Sequence, residues 1–363
     1  MQDKVQQLLN DNKLDGLLIT NQVNIFYLTG FKGVSPQERE ALLVIGKNKS
    51  TLITARLYQA EASKLKSDNL IVKIATERNE YEDFIKDSLQ VGLPTEALAK
   101  VGFEAHDITV AEHKKFRLLA KKSKLTPTNH LIENLRAVKT EKEIEKIEKA
   151  QNITSRAFTQ ILKTIKIGQT EAEISEKLKS ITWHFTHQSQ AFEPIVASGP
   201  NSAKPHHVTS DRRLVIGDTL LFDFGAKYQN YCADFSRTVF IGKASGEQRK
   251  IFNLVLKAQK AAIANIKPKI KAKAVFESAA HTFKKVGVGD HFLHSLGHGI
   301  GLQVHEGPSL GAKSKDILER GMIFSVEPGL YFKWGGVRLE DLVVVGTHGA
   351  KVLGRAAKFI EIK

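Results

Sequence analysis

The stretch Leu220-Leu221-Phe222-Asp223-Phe224-Gly225-Ala226-Lys227-Tyr228-Gln229-Asn230-Tyr231-Cys232-Ala233-Asp234 reads as strand, turn, strand. In an antiparallel hairpin folded about Tyr228 and Gln229, opposed residues have a constant index sum, which sets Asp223 directly across from Asp234 on one face. Their Cβ atoms are then about 5 Å apart. Two carboxylates held that close, among Leu221, Phe222 and Phe224, repel unless one takes a proton or a cation sits between them. A bound metal is the simpler remedy. Taken alone, the pair reads equally well as turn aspartates on a solvated face, so the rest of the chain has to decide.

A second acidic pair lies downstream. Glu327-Pro328-Gly329 and Glu340 flank another strand, turn, strand segment with Gly335-Gly336 at its bend, and their odd separation lets the two acids share a face. Val326 and Leu339 put both in strand-like surroundings, where an unpaired carboxylate is costly. Between the pairs runs His294-Ser295-Leu296-Gly297-His298-Gly299-Ile300-Gly301-Leu302-Gln303-Val304-His305-Glu306, with three histidines. Glycines at 297, 299 and 301 disfavour a helix presenting His294 and His298 on one face, and there is no His-Glu-x-x-His, so a zincin reading is poor. A phosphate loop is also poor, because no P-loop lysine follows. Close approach of backbone to a site fits better, and histidines alongside four acids point to a metal or acid–base centre. Pro205-His206-His207, in a loop after the strand-like Phe192 to Asn201, adds a candidate that is weak by itself.

Away from these segments, a length of 363 residues implies two domains. The first part reads as α/β: an opening helix, then short β-rich runs Gly16 to Thr20, Ala41 to Ile45 and Ser50 to Thr54 alternating with helices. Lys121-Lys122-Ser123-Lys124 and Thr126-Pro127-Thr128-Asn129 continue no regular element, which places an α/β domain at 1–125, a linker at 126–136 and a second domain at 137–363. The second domain opens with a long helix in which Ile144, Ile147, Ala150, Ile153, Ala157 and Ile161 recur at three and four, with Gly168 as a stop. Thr170 to Glu173 forms a capping box for the next helix. From Leu214 onward strands dominate, broken by helical stretches at about 246–266 and 273–286. The fold class is therefore α+β, with a smaller α/β N-terminal domain.

Hydrophobic content of 42% and charged content of 26% are those of ordinary globular proteins. The start lacks a secretory apolar region, and no run reaches the roughly 18 apolar residues of a membrane span, so a cytoplasmic location and no membrane partner are expected. The single cysteine, Cys232, makes no intramolecular disulfide and reads as a small buried hydrophobe. The net charge of +15 raises the question of nucleic acid. Lysines are dispersed, however, and the clusters Lys114 to Lys124 and Lys267 to Lys273 hold little aromatic surface for base stacking, so no nucleic-acid partner is expected.

Together these segments resemble the aminopeptidase P, prolidase and methionine aminopeptidase superfamily, whose catalytic domain is the pita-bread fold. The resemblance runs from Leu135-Arg136-Ala137-Val138-Lys139-Thr140 to Gly336-Val337-Arg338-Leu339-Glu340-Asp341. Asn24-Ile25-Phe26-Tyr27-Leu28-Thr29-Gly30-Phe31 looks like the N-domain of the aminopeptidase P and prolidase branch, and Pro205-His206, His294-Ser295-Leu296-Gly297-His298-Gly299 and Val304-His305-Glu306 look like the proline-specific branch. The resemblance implies two divalent ions held by Asp223, Asp234, His298, Glu327 and Glu340, with Asp234 and Glu340 bridging. An oxygen-rich ligand set favours Mn²⁺, with Co²⁺, Fe²⁺ or Zn²⁺ as substitutes. The resemblance further implies that Glu327 accepts the proton of the attacking water, that His206 and His305 stabilise the tetrahedral intermediate or the departing nitrogen, that His294 lines the pocket and that Arg338 orients an acid. Proline-containing peptides are the implied substrates and a homodimer the implied assembly. The expected activity is an Xaa-Pro aminopeptidase, with an Xaa-Pro dipeptidase (prolidase) as the alternative. A non-catalytic binding module with an acidic or nucleic-acid partner is a more distant one, and it predicts lost ligands where none is lost. Trp183-His184-Phe185-Thr186-His187-Gln188 and Trp334 depart from the family pattern.

Overall fold

A computed structural model describes residues 2–32, 39, 41–65, 67–90 and 98–362. The chain divides into two compact units, Met1–Leu135 and Arg136–Lys363.

The first unit is built from α1 (Gln2–Asp11), β1 (Gly16–Ile19), α2 (Gln22–Thr29), β2 (Ala41–Gly46), β3 (Ser50–Ala55), α3 (Gln59–Ala62), β4 (Leu70–Ala75), α4 (Arg78–Ser88), β5 (Ala99–Glu104), α5 (Val110–Leu119) and β6 (Ser123–Thr128). Its mixed sheet has the order β4-β3-β2-β1-β5-β6, and every residue of β1 is buried, as expected of a central strand covered on both faces. One cover comes from α1 and α2 through Val5, Leu9 and Ile25, the other from α4 and α5 through Ile85, Leu89 and Phe116. The expected strands fall where alternating β-rich runs placed them. The stretch expected as a linker is regular structure instead: β6 pairs in parallel with β5, and helix α6 (Leu131–Ala137) follows at once. Pro127 is tolerated there because β6 is the last strand of the sheet order, where one edge needs no amide donor.

The second unit begins with α7 (Glu141–Leu162) and α8 (Glu171–Thr186), each opened by a capping box, at Thr140/Glu143 and Thr170/Glu173. Helix α7 ends at Leu162, before Gly168, which lies with φ +85° in the turn that leads to α8. Strands β7 (Ile195–Ser198), β8 (Thr219–Asp223) and β11 (Ser236–Ile241) form one sheet with the last strand, β19 (Glu361–Ile362), in the order β19-β11-β8-β7. Between β8 and β11 stands a short ribbon of β9 (Lys227–Tyr228) and β10 (Tyr231–Cys232). Helices α7 and α8 cover this sheet through Phe158, Ile161, Ile174 and Leu178 against Leu220, Phe222 and Val239.

A second sheet contains β12 (Gly297–Gly299), β13 (Glu306–Leu310), β14 (Ile323–Val326), β17 (Asp341–Val345) and β18 (Ala350–Val352), in the order β13-β12-β14-β17-β18. A ribbon of β15 (Gly329–Phe332) and β16 (Gly335–Arg338) extends it. Its cover is α9 (Gly246–Ala264) and α10 (Ala272–Lys284), which bury Phe252, Val255, Val275 and Phe283 against Phe324, Val326 and Val343. The bend of the β15–β16 ribbon is Lys333-Trp334, not the expected Gly335-Gly336, and Gly335 already pairs with Phe332. Trp334 lies parallel to Phe332, with ring centroids 5.6 Å apart. The two sheets are stitched together where the Glu340 amide donates to the Ser236 carbonyl at 3.1 Å and the Arg338 amide to Thr238 Oγ1 at 3.0 Å. Among the described residues no helix is long and apolar enough to cross a membrane.

Candidate metal centre

The first acidic pair comes from the connection between β8 and β11. Gln229 and Asn230 both take left-handed conformations, φ 48° and 70°, so the tight turn is centred on them rather than on Tyr228 and Gln229. Tyr231 therefore pairs with Tyr228, and Asp223 pairs with Ser236, not with Asp234. The register is displaced by two residues from the expected one. An even displacement preserves the face, and Asp223 and Asp234 still project to the same side. Here the chains approach so closely that a Cβ on Gly225 would meet the Ala233 carbonyl oxygen at 1.8 Å.

The second pair is fixed by two ladders. Val326 pairs with Asp341 and Gly329 with Arg338 in one common register, which sets Glu327 and Glu340 opposite each other where the sheet hands over to the ribbon. His298 sits in the middle of β12, and a Cβ on its neighbour Gly297 would fall 1.9 Å from the Ser325 carbonyl oxygen. The glycines thus serve the close backbone approach that their spacing suggested.

These pieces converge on one cavity of about 480 Å³, lined by Asp223, Asp234, His298, Glu327 and Glu340, and also by His206, His294, His305 and Arg338. Oxygens of Asp223, Asp234 and Glu340 lie within 4.8 Å of one another. His298 Nε2 is 3.6 Å from Asp234 Oδ2 and 3.4 Å from Glu327 Oε1. All nine residues singled out from the sequence therefore border the same space.

The electrostatics are those of a site short of positive charge. Burial, then the repulsion of Glu340, Asp223 and Glu327, pushes the Asp234 carboxyl well above its usual range, and burial with Glu327 and Asp223 does the same to Glu340. Burial raises Glu327 to about 7, against the opposing pull of Arg338. Glu340 Oε2 accepts from Ser236 Oγ at 2.8 Å, but its buried Oε1 has no hydrogen-bond partner. A buried carboxylate oxygen without a donor, inside a group of like charges, suits a divalent cation with oxygen ligands.

Around the acids a directional chain of hydrogen bonds is set. Arg338 Nη2 donates to Asp223 at 2.6 Å, Nε to Ser236 Oγ at 2.9 Å, and Nη1 to the Pro205 carbonyl at 3.2 Å and to Tyr331 Oη at 3.0 Å. Burial, then Arg338, lowers His294 to about 4, so its imidazole is neutral at neutral pH. Its Nδ1 lies 2.7 Å from the Ser295 carbonyl and must carry the proton, which leaves Nε2 to accept from Tyr331 Oη at 2.8 Å. His305 packs edge-on against His298, centroids 4.3 Å apart. Burial and the nearby His298 lower its pKa.

Several contributors carried no sequence signal. Ser325 Oγ accepts from the His298 amide at 3.1 Å and donates to Glu327 Oε1 at 3.0 Å, and Tyr331 links His294 to Arg338. Glu306 is held by Arg136 and Lys139 and accepts from the Gln303 amide at 2.9 Å, which ties down the turn carrying His305. A serine or tyrosine in a strand is too common to single out. Arg136, Lys139 and Glu306 stand in stretches that carry the family resemblance, but no role was read for them. Of the two departures, Trp183 lies on the last turn of α8, 55% exposed, with His187 as its left-handed cap, and neither borders the cavity.

A family model described as metallopeptidase family M24 matches residues 145–347, and one described as creatinase/prolidase N-terminal domain matches residues 1–138. The Xaa-Pro dipeptidase of Pyrococcus furiosus is 35% identical over 358 residues, 98% of each chain. The solved structure of an Xaa-Pro dipeptidase from Bacillus anthracis superposes with a TM-score of 0.91 at 32% identity, covering 99% of this chain and 98% of that one. That of an X-Pro aminopeptidase from Thermotoga maritima gives 0.87 at 31% identity, covering 96% and 98%. With the family model spanning more than half of its length and full-length relatives above 30% identity, the chain belongs to metallopeptidase family M24, in the pita-bread branch of aminopeptidase P and prolidase.

Proposed function

We propose that this peptidase is an Xaa-Pro dipeptidase that works with two divalent ions held by Asp223, Asp234, His298, Glu327 and Glu340, with Mn²⁺ as the ion best suited to four carboxylates and one imidazole. The observation that carries the metal assignment is the meeting of Asp223, Asp234 and Glu340 oxygens in a group where the buried Glu340 Oε1 has no hydrogen-bond partner. The choice of dipeptides over the longer peptides favoured by the sequence reading rests on the full-length similarity to proteins named Xaa-Pro dipeptidase. When bound, such ions polarise the scissile carbonyl and acidify water.

The chain's own residues do the rest. Glu327, steadied by Ser325, takes a proton from the attacking water as its oxygen bonds to the carbonyl carbon. The same proton is then returned to the proline nitrogen as the C–N bond breaks, giving a free amino acid and proline. His206 and His305, which line the same cavity as the acids, donate to the oxygen that gains charge. His294, neutral and fixed by Ser295 and Tyr331, shapes the proline side of the cavity.

The test is hydrolysis of Ala-Pro and Ala-Pro-Ala by manganese-loaded protein, with Asp234→Ala and Glu327→Ala beside it. Cleavage of the dipeptide in preference to the tripeptide is expected, with both variants inactive. Preference for Ala-Pro-Ala would return the assignment to aminopeptidase, and activity surviving both substitutions would sink the mechanism.

A further inference from the structure

The loop after β7 brings His206 to the cavity, yet its anchorage is a carboxylate that does not border the cavity at all. Glu171, the first residue of α8, is fully buried. Its Oε1 accepts from the Ser198 amide at 2.7 Å, from Ser198 Oγ at 2.7 Å and from Asn201 Nδ2 at 3.1 Å. Its Oε2 accepts from His207 Nε2 at 2.9 Å, from the Ser210 amide at 3.1 Å and from Ser210 Oγ at 2.6 Å. Burial would raise the acid, but the hydrogen bonds from Ser210, Ser198 and His207 outweigh it and hold its pKa below the usual value. The group is a carboxylate, and His207 Nε2 is accordingly the protonated nitrogen.

Both ends of the 198–210 segment thus close on one side chain. Midway between the grips, the Pro205 carbonyl accepts from Arg338 Nη1 at 3.2 Å, and His206 lines the cavity beside Asp223 and His305. His207 is buried against Glu171, while His206 and Val208 on either side of it are exposed. Every partner of Glu171 in this segment is a donor. A glutamine of the same shape would turn an amide NH₂ toward some of them, leaving buried donors opposed to one another.

We propose that Glu171 is a positioning residue of the reaction: its carboxylate, touching neither the acid cluster nor the cavity, clamps the 198–210 loop and so fixes where His206 stands over the acids. This rests on the peptidase reading above and extends it to a residue outside the site. The tests use manganese-loaded protein as wild type, Glu171→Gln, and the milder Ser210→Ala and His207→Gln. Hydrogen exchange over residues 199–209, bound manganese, and kcat and KM for Ala-Pro are measured, with and without His206→Ala in the same chain.

In Glu171→Gln the loop amides should exchange at least about tenfold faster, manganese should stay bound, and kcat should fall roughly 10- to 100-fold. In the His206→Ala background the same change should cost less than about twofold, because the residue it acts through is gone. Unchanged exchange, or an equal loss of kcat in both backgrounds, overturns the proposal. If Glu171→Gln does not fold, Ser210→Ala and His207→Gln must each show a smaller effect of the same pattern, and no change in either overturns it as well. If the wild type cleaves neither Ala-Pro nor Ala-Pro-Ala, the peptidase reading falls, while the exchange measurement still decides whether Glu171 clamps the loop.

Discussion

The guanidinium of Arg338 lies 2.6 Å from the carboxylate of Asp223, and the same buried side chain reaches Ser236, Tyr331 and the Pro205 carbonyl. Four partners in four directions require the planar fork of arginine, and a lysine ammonium cannot satisfy them together. Arg338→Lys is therefore expected to lower kcat/KM by roughly 100-fold with manganese still bound. Titration of metal content beside the kinetics checks it, and near-normal turnover in Arg338→Lys would contradict it.

Asp234→Asn should have effects of opposite sign with and without metal. Without it, removing one charge from the group relieves the repulsion by Glu340, Asp223 and Glu327, and the melting temperature should rise by a few degrees. With Mn²⁺ added, the stabilisation seen for wild type should be largely lost and hydrolysis should fall by roughly 10³-fold or more. Differential scanning fluorimetry with and without Mn²⁺ reads the first two quantities.

The pH dependence of the metal-free protein follows from Glu327, raised to about 7 by burial. A carboxyl whose folded pKa exceeds its unfolded value of about 4.3 stabilises the fold below that unfolded value, and the contribution is lost as pH rises toward the folded one. Between about pH 4.5 and 7 the metal-free melting temperature of wild type should therefore fall relative to that of Glu327→Gln, a comparison in which the opposite contribution of His294 cancels. A difference between the two proteins that stays constant or rises across this window would contradict the assignment.

Gly297→Ala would bring a Cβ within 1.9 Å of the Ser325 carbonyl oxygen, so β12 must move away from β14. Because the next residue is His298, loss of bound metal should exceed loss of secondary structure. Circular dichroism with metal analysis separates the two.

Arg237 is a fully buried cation whose Nη2 lies 2.6 Å from Asp341, which also pairs with Lys358 at 2.7 Å. Arg237→Ala strips one partner from a buried pair and should cost about 3–5 kcal/mol of stability. Denaturant unfolding of the metal-free protein measures it.

Much of this site was legible because acids in apolar strands are costly and therefore conspicuous. Asp223, Asp234, Glu327 and Glu340 stood out on that ground, and parity along the strands put each pair on one face. Parity is also why the displaced register at Gln229 and Asn230 did no damage to the inference: a shift of two keeps the face, whereas a shift of one would have separated the aspartates. The 126–136 stretch misled because Pro127 and a run of lysines mimic a linker, when an edge strand tolerates both. Glu171 left no trace in the sequence beyond its place in a helix cap, since the donors that define it come from residues 198 to 210 and meet only in the fold.

Strand β11 is buried along its whole length, from Ser236 to Ile241. Ser236 and Thr238 bond to Glu340 and Arg338, Val239 and Ile241 pack beneath α7 and α8, and Phe240 packs with the cover of the second sheet. An ordinary surface strand accepts changes at every second position, but here neither side faces water. A library randomised across 236–241 should return survivors close to the starting sequence at all six codons, so this short segment, rather than the histidine loops, would be the slowest part of the protein to diverge.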